Sequence, residues 1–136
     1  MNQFLLPFSR RLIYGDGQDI VVPIYLSSDS DTIISVDAKL DTGSTLCVFQ
    51  SFYATMLGFE LERGLPQPMR SVTGSFMTYG HEVTIAIEDI EWQAMIYFAV
   101  DEFFPVSVLG RTGFLDRLKI ALIDYDQELY LNAYDI

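Results

Sequence analysis

The sequence predicts an all-β chain, a barrel or sandwich of many short strands, and two observations carry that expectation. Apolar residues recur with a period of two, and polar turn signals fall between the resulting stripes. Ile34, Val36, Ala38 and Leu40 alternate with Ser35, Asp37 and Lys39, as in a strand with one face on a core. Val83, Ile85 and Ile87 repeat the pattern, and Trp92, Ala94, Ile96, Phe98 and Val100 form the clearest stripe. The turn signals are Gly15-Asp16-Gly17, Ser27 to Asp31, Glu88-Asp89 and Asp124-Tyr125-Asp126-Gln127.

The helical content is small. Ser51 to Leu57 opens on a capping residue, carries Phe52, Met56 and Leu57, and stops at Gly58, where a left-handed C-cap is cheap. A second short helix is expected over Thr112 to Leu118. Gly64 to Pro68 reads as a loop, and Thr45 to Phe49 as a short strand.

Composition bounds the function. The chain has 136 residues, half of them apolar, enough for one domain over residues 1–136 with a core that needs no disulfide or structural metal. A net charge of −11 argues against nucleic acid and anionic membranes as partners, because both require a basic face. The single cysteine, Cys47, excludes an internal disulfide and fits a reducing compartment. Met1 to Phe8 is apolar only briefly, is broken by Pro7, and has its basic residues after the apolar run, unlike a secretory signal. A cytoplasmic protein is expected. No cluster has zinc spacing and no glycine-rich phosphate loop is present, so neither metal nor cofactor is indicated.

The residues with chemistry begin where an alternating strand ends, at Leu40-Asp41-Thr42-Gly43-Ser44. A carboxylate on such a turn is exposed and rigid, glycine lets backbone N–H groups approach it, and neighbouring hydroxyls can orient it. Further on, an apolar run ends in Val108-Leu109-Gly110-Arg111. Cys47 and the single His81 are a weaker alternative, because nothing near Cys47 lowers a thiol pKa.

In order and spacing these two motifs resemble the retropepsin-like aspartic proteases, over about Ile20 to Leu131. The resemblance implies a closed acid-protease barrel with psi loops, a flap hairpin and one or two short helices. It makes Asp41 the catalytic acid/base, Thr42 the residue whose hydroxyl bonds across a dimer axis, and Gly43 a source of backbone donors. Ser44 is placed to donate to the outer carboxylate oxygen, and Leu109, Gly110 and Arg111 form the strand threading the psi loop. The flap would be Ser71 to Tyr79 with Gly74 near its tip, where Val72, Thr73, Gly74, Ser75, Phe76 and Tyr79 meet substrate.

Only one Asp-Thr-Gly is present, so the second carboxylate must come from a second copy, and a homodimer is implied. Phe4 to Phe8 and Leu129 to Tyr134 are the edges expected to build its interface. The implied activity is hydrolysis of an extended peptide or protein by a carboxylate-activated water. The alternative is a catalytically silent acid-protease-fold module for dimerisation or peptide binding. Two departures stand out: Thr45 to Phe49 holds no acid to pair with Arg111, and Ser44 occupies a position where retroviral enzymes commonly have alanine.

Overall fold

The computed structural model describes residues 2–15, 17–29 and 31–136. Strand β1 (Arg10–Ile13) is followed by β2 (Val21–Ser27), β3 (Ile33–Leu40), β4 (Val48–Gln50), helix α1 (Ser51–Met56) and β5 (Leu65–Ser71). Then come β6 (Gly74–Ile87), β7 (Ile90–Ala99), β8 (Val108–Leu109), β9 (Leu118–Ile123) and β10 (Glu128–Ala133). Asp16 and Ser30, within two of the expected turns, lie outside the described residues.

The strands form a seven-stranded sheet, β2-β3-β8-β4-β7-β6-β5, and a three-stranded sheet, β1-β10-β9. An additional antiparallel pairing joins β2 to β6 through Tyr25↔Ala86, Leu26↔Ile85 and Ser27↔Thr84. The hydrogen bonding of the larger sheet therefore runs in a ring from β2 through β3, β8, β4, β7 and β6 back to β2. The ring leaves β5, paired only with β6, as the free edge of the larger sheet.

The period-two stripes explain the interior. Val22, Ile24 and Leu26 of β2, Ile34, Val36 and Ala38 of β3, and Val83, Ile85 and Ile87 of β6 are all buried in one hydrophobic cluster. Ala94, Ile96 and Phe98 of β7 join it, as do Leu129 and Leu131 of β10. Each buried Val, Leu, Ile or Phe side chain among them contributes about 1.5–3 kcal/mol. Phe49 and Phe98 meet edge to face, with centroids 6.5 Å apart. Val100, the last residue of the β7 stripe, is exposed.

Strand β6 does two jobs. Its first half pairs with β5, from Leu65↔Gly80 to Ser71↔Gly74, and its second half pairs with β7, from Thr78↔Ala99 to Ile87↔Ile90. Glu88 turns the second hairpin at a φ of 52°.

Five expectations need correction. Gly64 to Pro68 is largely strand, because β5 lies at the end of the sheet, and an edge strand tolerates Pro66 and Pro68 with no N–H to donate. Thr112 to Leu118 is not an α-helix; only a 3-10 turn forms, at Leu115–Arg117. Gly113 at a φ of 102° breaks the run, and Leu118 is buried as the first residue of β9. The short strand of Thr45 to Phe49 shifts to Val48–Gln50, preceded by an isolated Leu46↔Thr112 bridge. Ser51 is the first helical residue and not a cap; the N-cap is Gln50, with no side-chain capping bond, although Gly58 is left-handed as expected. Finally, Leu129 to Ala133 is no edge, since β10 is held between β1 and β9.

Candidate active site

The parallel pairing of β3 with β8 (Lys39↔Val108, Leu40↔Leu109) and the antiparallel contact of β4 with β8 (Val48↔Val108) put a two-residue strand between the arms on either side of Asp41. That is the psi arrangement. Lys39 N donates to Ser107 O at 2.8 Å and Asp41 N to Leu109 O at 2.9 Å, so the backbone is held up to the carboxylate-bearing residue. Beyond it the chain turns, with Ser44 N donating to Asp41 O at 3.2 Å.

The Asp41 side chain is half-buried, and its Oδ1 accepts from Gly43 N at 3.0 Å. A Cβ on Gly43 would sit 3.3 Å from that same oxygen, so a larger residue there obliges the carboxylate to shift by a few tenths of an ångström. Thr42 is exposed, and its hydroxyl has no hydrogen-bond partner among the described residues. Ser44 differs from expectation: its Oγ donates to Leu46 O at 2.7 Å and not to the carboxylate.

Leu109 is fully buried behind this turn. Gly110 is the crossing point, where a Cβ would lie 2.3 Å from Leu46 O and 2.6 Å from Ser44 O. Arg111 N and Thr112 N then donate to Ser44 O (2.9 Å) and Thr45 O (2.8 Å). The Arg111 side chain is exposed and has no ion-pair partner among the described residues.

Cys47 accepts a hydrogen bond from Gly110 N at 3.3 Å, and burial pushes its thiol up to about 11 against the lowering effect of that bond. His81 is engaged elsewhere: its Nε2 lies 2.8 Å from Leu61 O and its ring stacks on Phe59 at 4.5 Å. The two have separate partners, and a raised thiol pKa is the wrong direction for a nucleophile.

The β5–β6 hairpin runs from Leu65 to Gly80, so the segment Ser71 to Tyr79 expected as a flap covers only its tip and one arm. Val72 and Thr73 form its tip, Val72 is fully exposed, and Gly74 takes a φ of 133° with open space where a Cβ would stand. Ser71 Oγ and Thr73 Oγ1 are 3.0 Å apart across the turn. Tyr79 is half-buried at the flap base, opposite Phe98 and Pro66. Thr73, Gly74, Ser75 and Phe76 line a cleft of about 460 Å³ whose other wall is the 101–105 loop. There the Phe76 and Phe104 rings are 5.5 Å apart. Sequence reasoning missed that wall; its signal was Phe103-Phe104-Pro105, two aromatics before a proline, with Phe103 left 89% exposed.

Two further clefts lie at or beside the Asp41 turn. One, of about 340 Å³, lies between Gly43 to Leu46 and the β5 residues Gln67 to Arg70. The other, of about 420 Å³, lies beside Thr45, Arg111 and Thr112. Among the described residues no group of three or more His, Cys, Asp or Glu could hold a metal ion, and no helix is long and apolar enough to cross a membrane.

The fold recurs in solved structures. The chain superimposes on a retropepsin-like aspartic protease from Rickettsia conorii with a TM-score of 0.65, covering 91% of this chain and 99% of that one at 18% identity. The fold is that of the retropepsin-like aspartic proteases. EIAV protease complexed with the inhibitor HBY-793 is also similar, with a TM-score of 0.56 at 19% identity, over 74% of this chain and 88% of that one. No protein-family model matches the sequence, and no curated protein matches it.

Proposed function

We propose that two copies of the chain form an aspartic endopeptidase in which each contributes one Asp41. The observation that carries this reading is the Asp41 carboxylate on the psi turn, half-buried, with Gly43 N donating to its Oδ1. A twofold axis beside the turn brings two carboxyls together. At about 3 Å and an effective dielectric of about 20 they repel by roughly 5.5 kcal/mol when both are ionised, so the active pair holds one proton. The ionised partner takes a proton from water, and the oxygen of that water adds to the peptide carbonyl as the protonated partner gives its proton to the carbonyl oxygen. Collapse of the tetrahedral diol breaks the C–N bond, with a proton passing to the departing nitrogen. No covalent intermediate forms.

Thr42 bonds across the axis beneath the pair, and the flap covers a peptide bound as an added strand. The second copy has apolar surface to meet: Phe4 and Leu5 are 91% and 88% exposed, and Leu122 and Ile123 are exposed on the edge strand β9. The single buried thiol supports a cytoplasmic setting. A silent peptide-binding module is the second reading, favoured by the lack of an acidic partner for Arg111.

Digestion of a peptide library, with Asp41→Asn as control, tests the assignment. The variant is nearly isosteric, keeps the fold by circular dichroism, and loses a factor of at least about 10² in kcat. Specific activity falls on dilution below the dimer dissociation constant. Full activity in Asp41→Asn, or turnover by a chain that sedimentation shows to be monomeric, would rule the reading out.

A further inference from the structure

Of the eight lysines and arginines in this acidic chain, five make ion pairs and Lys119 Nζ donates to Ile136 O. Arg70 and Arg111 are the two whose guanidinium groups have no acceptor among the described residues. Both are exposed; Arg70 lines the cleft that reaches Gly43 and Ser44 of the turn carrying Asp41, and Arg111 lines the cleft beside Thr45, the residue that follows that turn. Arg70 comes from the flap strand β5 and Arg111 from the residue after the psi crossing. Thr45 lines both clefts, so the two are neighbours across it.

The remaining polar groups fit an anion. The Thr45 and Thr112 side chains have no hydrogen-bond partner among the described residues and can donate into the same space. Asp116 also lines the Arg111 cleft, but its Oδ1 already accepts from Gly113 N at 3.0 Å and lies 3.7 Å from Arg117 Nε. Part of its hydrogen-bonding capacity is therefore committed within its own segment, away from Arg111. A guanidinium is a planar fork matched to a carboxylate, and hydrogen bonds between charged groups are about twice as strong as neutral ones.

Resting on the peptidase reading, we propose that Arg70 and Arg111 select acidic peptides, holding an Asp or Glu side chain of the substrate on the outer side of the scissile bond. The net charge of −11 opposes such substrates at long range. At physiological ionic strength, however, that field is screened beyond about 8 Å, whereas the two arginines act at contact. The local cations therefore decide selectivity, and the overall charge affects only the rate of encounter.

The test uses matched peptides that differ only in Glu or Gln at positions flanking the cleaved bond, in 0.15 M salt. The acid-to-amide ratio of kcat/KM is expected to be about ten, or 1.4 kcal/mol. It falls to about three in Arg70→Gln or Arg111→Gln and to about one in the double variant, while Arg111→Lys restores part of it. Because each ratio is measured within one preparation, a loss of folded protein does not alter it. A wild-type ratio near one, or a double variant that keeps the ratio, overturns the proposal. So does an Arg111→Gln protein with a weakened dimer and an unchanged ratio, because its guanidinium then holds a carboxylate of the second copy. Binding of the same labelled peptides to Asp41→Asn separates this idea from the peptidase itself. Tenfold tighter binding of the Glu peptide, with no cleavage by the wild type, would sustain acid recognition and sink the enzymatic reading.

Discussion

Replacing Gly110 by alanine tests whether the psi crossing organises the site. The new Cβ would stand 2.3 Å from Leu46 O, about 0.7 Å inside the 3.0 Å that real Cβ atoms essentially never breach. Both nearest obstacles are backbone carbonyls, and neither can swing aside as a side chain would. Separating the two chain segments by that amount stretches the Arg111 N–Ser44 O bond from 2.9 Å, and the Thr112 N–Thr45 O bond from 2.8 Å, to about 3.5 Å or beyond. Two hydrogen bonds at about 1 kcal/mol each, added to an overpacking cost of about 1–3 kcal/mol, give a loss of roughly 3–5 kcal/mol. For a chain of this size that lowers Tm by about 10 °C or more. Scanning calorimetry beside Gly43→Ala supplies the contrast. There the Cβ meets only Asp41 Oδ1, at 3.3 Å, and a side-chain oxygen can yield. Gly43→Ala is expected to lose activity with a far smaller drop in Tm. A Gly110→Ala protein within 3 °C of wild type would refute the reasoning.

Other outcomes follow from individual contacts. With its thiol near 11 and its side chain buried, Cys47 should resist iodoacetamide for hours at pH 7.5 and react fully in guanidinium; fast labelling of native protein would contradict the structure. Ser44→Ala should leave the alkaline limb of the pH–rate profile in place, because that hydroxyl is committed to Leu46 O, and should cost about 1 kcal/mol of stability. A limb displaced by more than half a pH unit would return the hydroxyl to the carboxylate. The hydrogen bond from Arg10, together with its charge, lowers the Asp89 pKa below its ordinary 3.8. Its stabilising effect is therefore present above that value and lost as pH falls through the folded-state pKa. Asp89→Asn should lower Tm at pH 6 and match wild type near pH 2; an equal deficit at both would exclude the linkage.

What could be read from residues alone was whatever repeats locally. The alternation in β3, β6 and β7 exposes their buried faces directly, and Gly58 and Gly74 mark places where left-handed or otherwise unusual backbone ends an element. Position within a sheet is not local. Nothing in Leu65 to Ser71 announces an edge, and only an edge admits Pro66 and Pro68 to a strand. Leu129 to Ala133 alternates as an edge strand would, yet β1, more than a hundred residues earlier in the chain, covers its far side. The helix expected after Arg111 failed because one glycine at positive φ and one buried leucine outweigh a permissive composition. In the candidate site, Asp41 and Gly110 were legible through their motifs. Arg70 was not, because only the folding of β5 over the turn brings it to the cleft.

The double duty of β6 sets the mechanics of the flap. The strand is 14 residues long, roughly 45 Å from tip to turn, and only Thr78 to Gly80 have partners in both β5 and β7. The flap is thus a cantilever: a two-stranded ribbon clamped at those residues, where Thr78 Oγ1 also fastens to Gln67 O at 2.7 Å. A load applied at Val72 is carried as bending along one unbroken beam to the β2–β6 seam at Thr84 to Ala86, the joint that keeps the ring shut. Stiffness at the tip and integrity of the seam are two ends of one member, and loosening the seam will soften the flap from a distance.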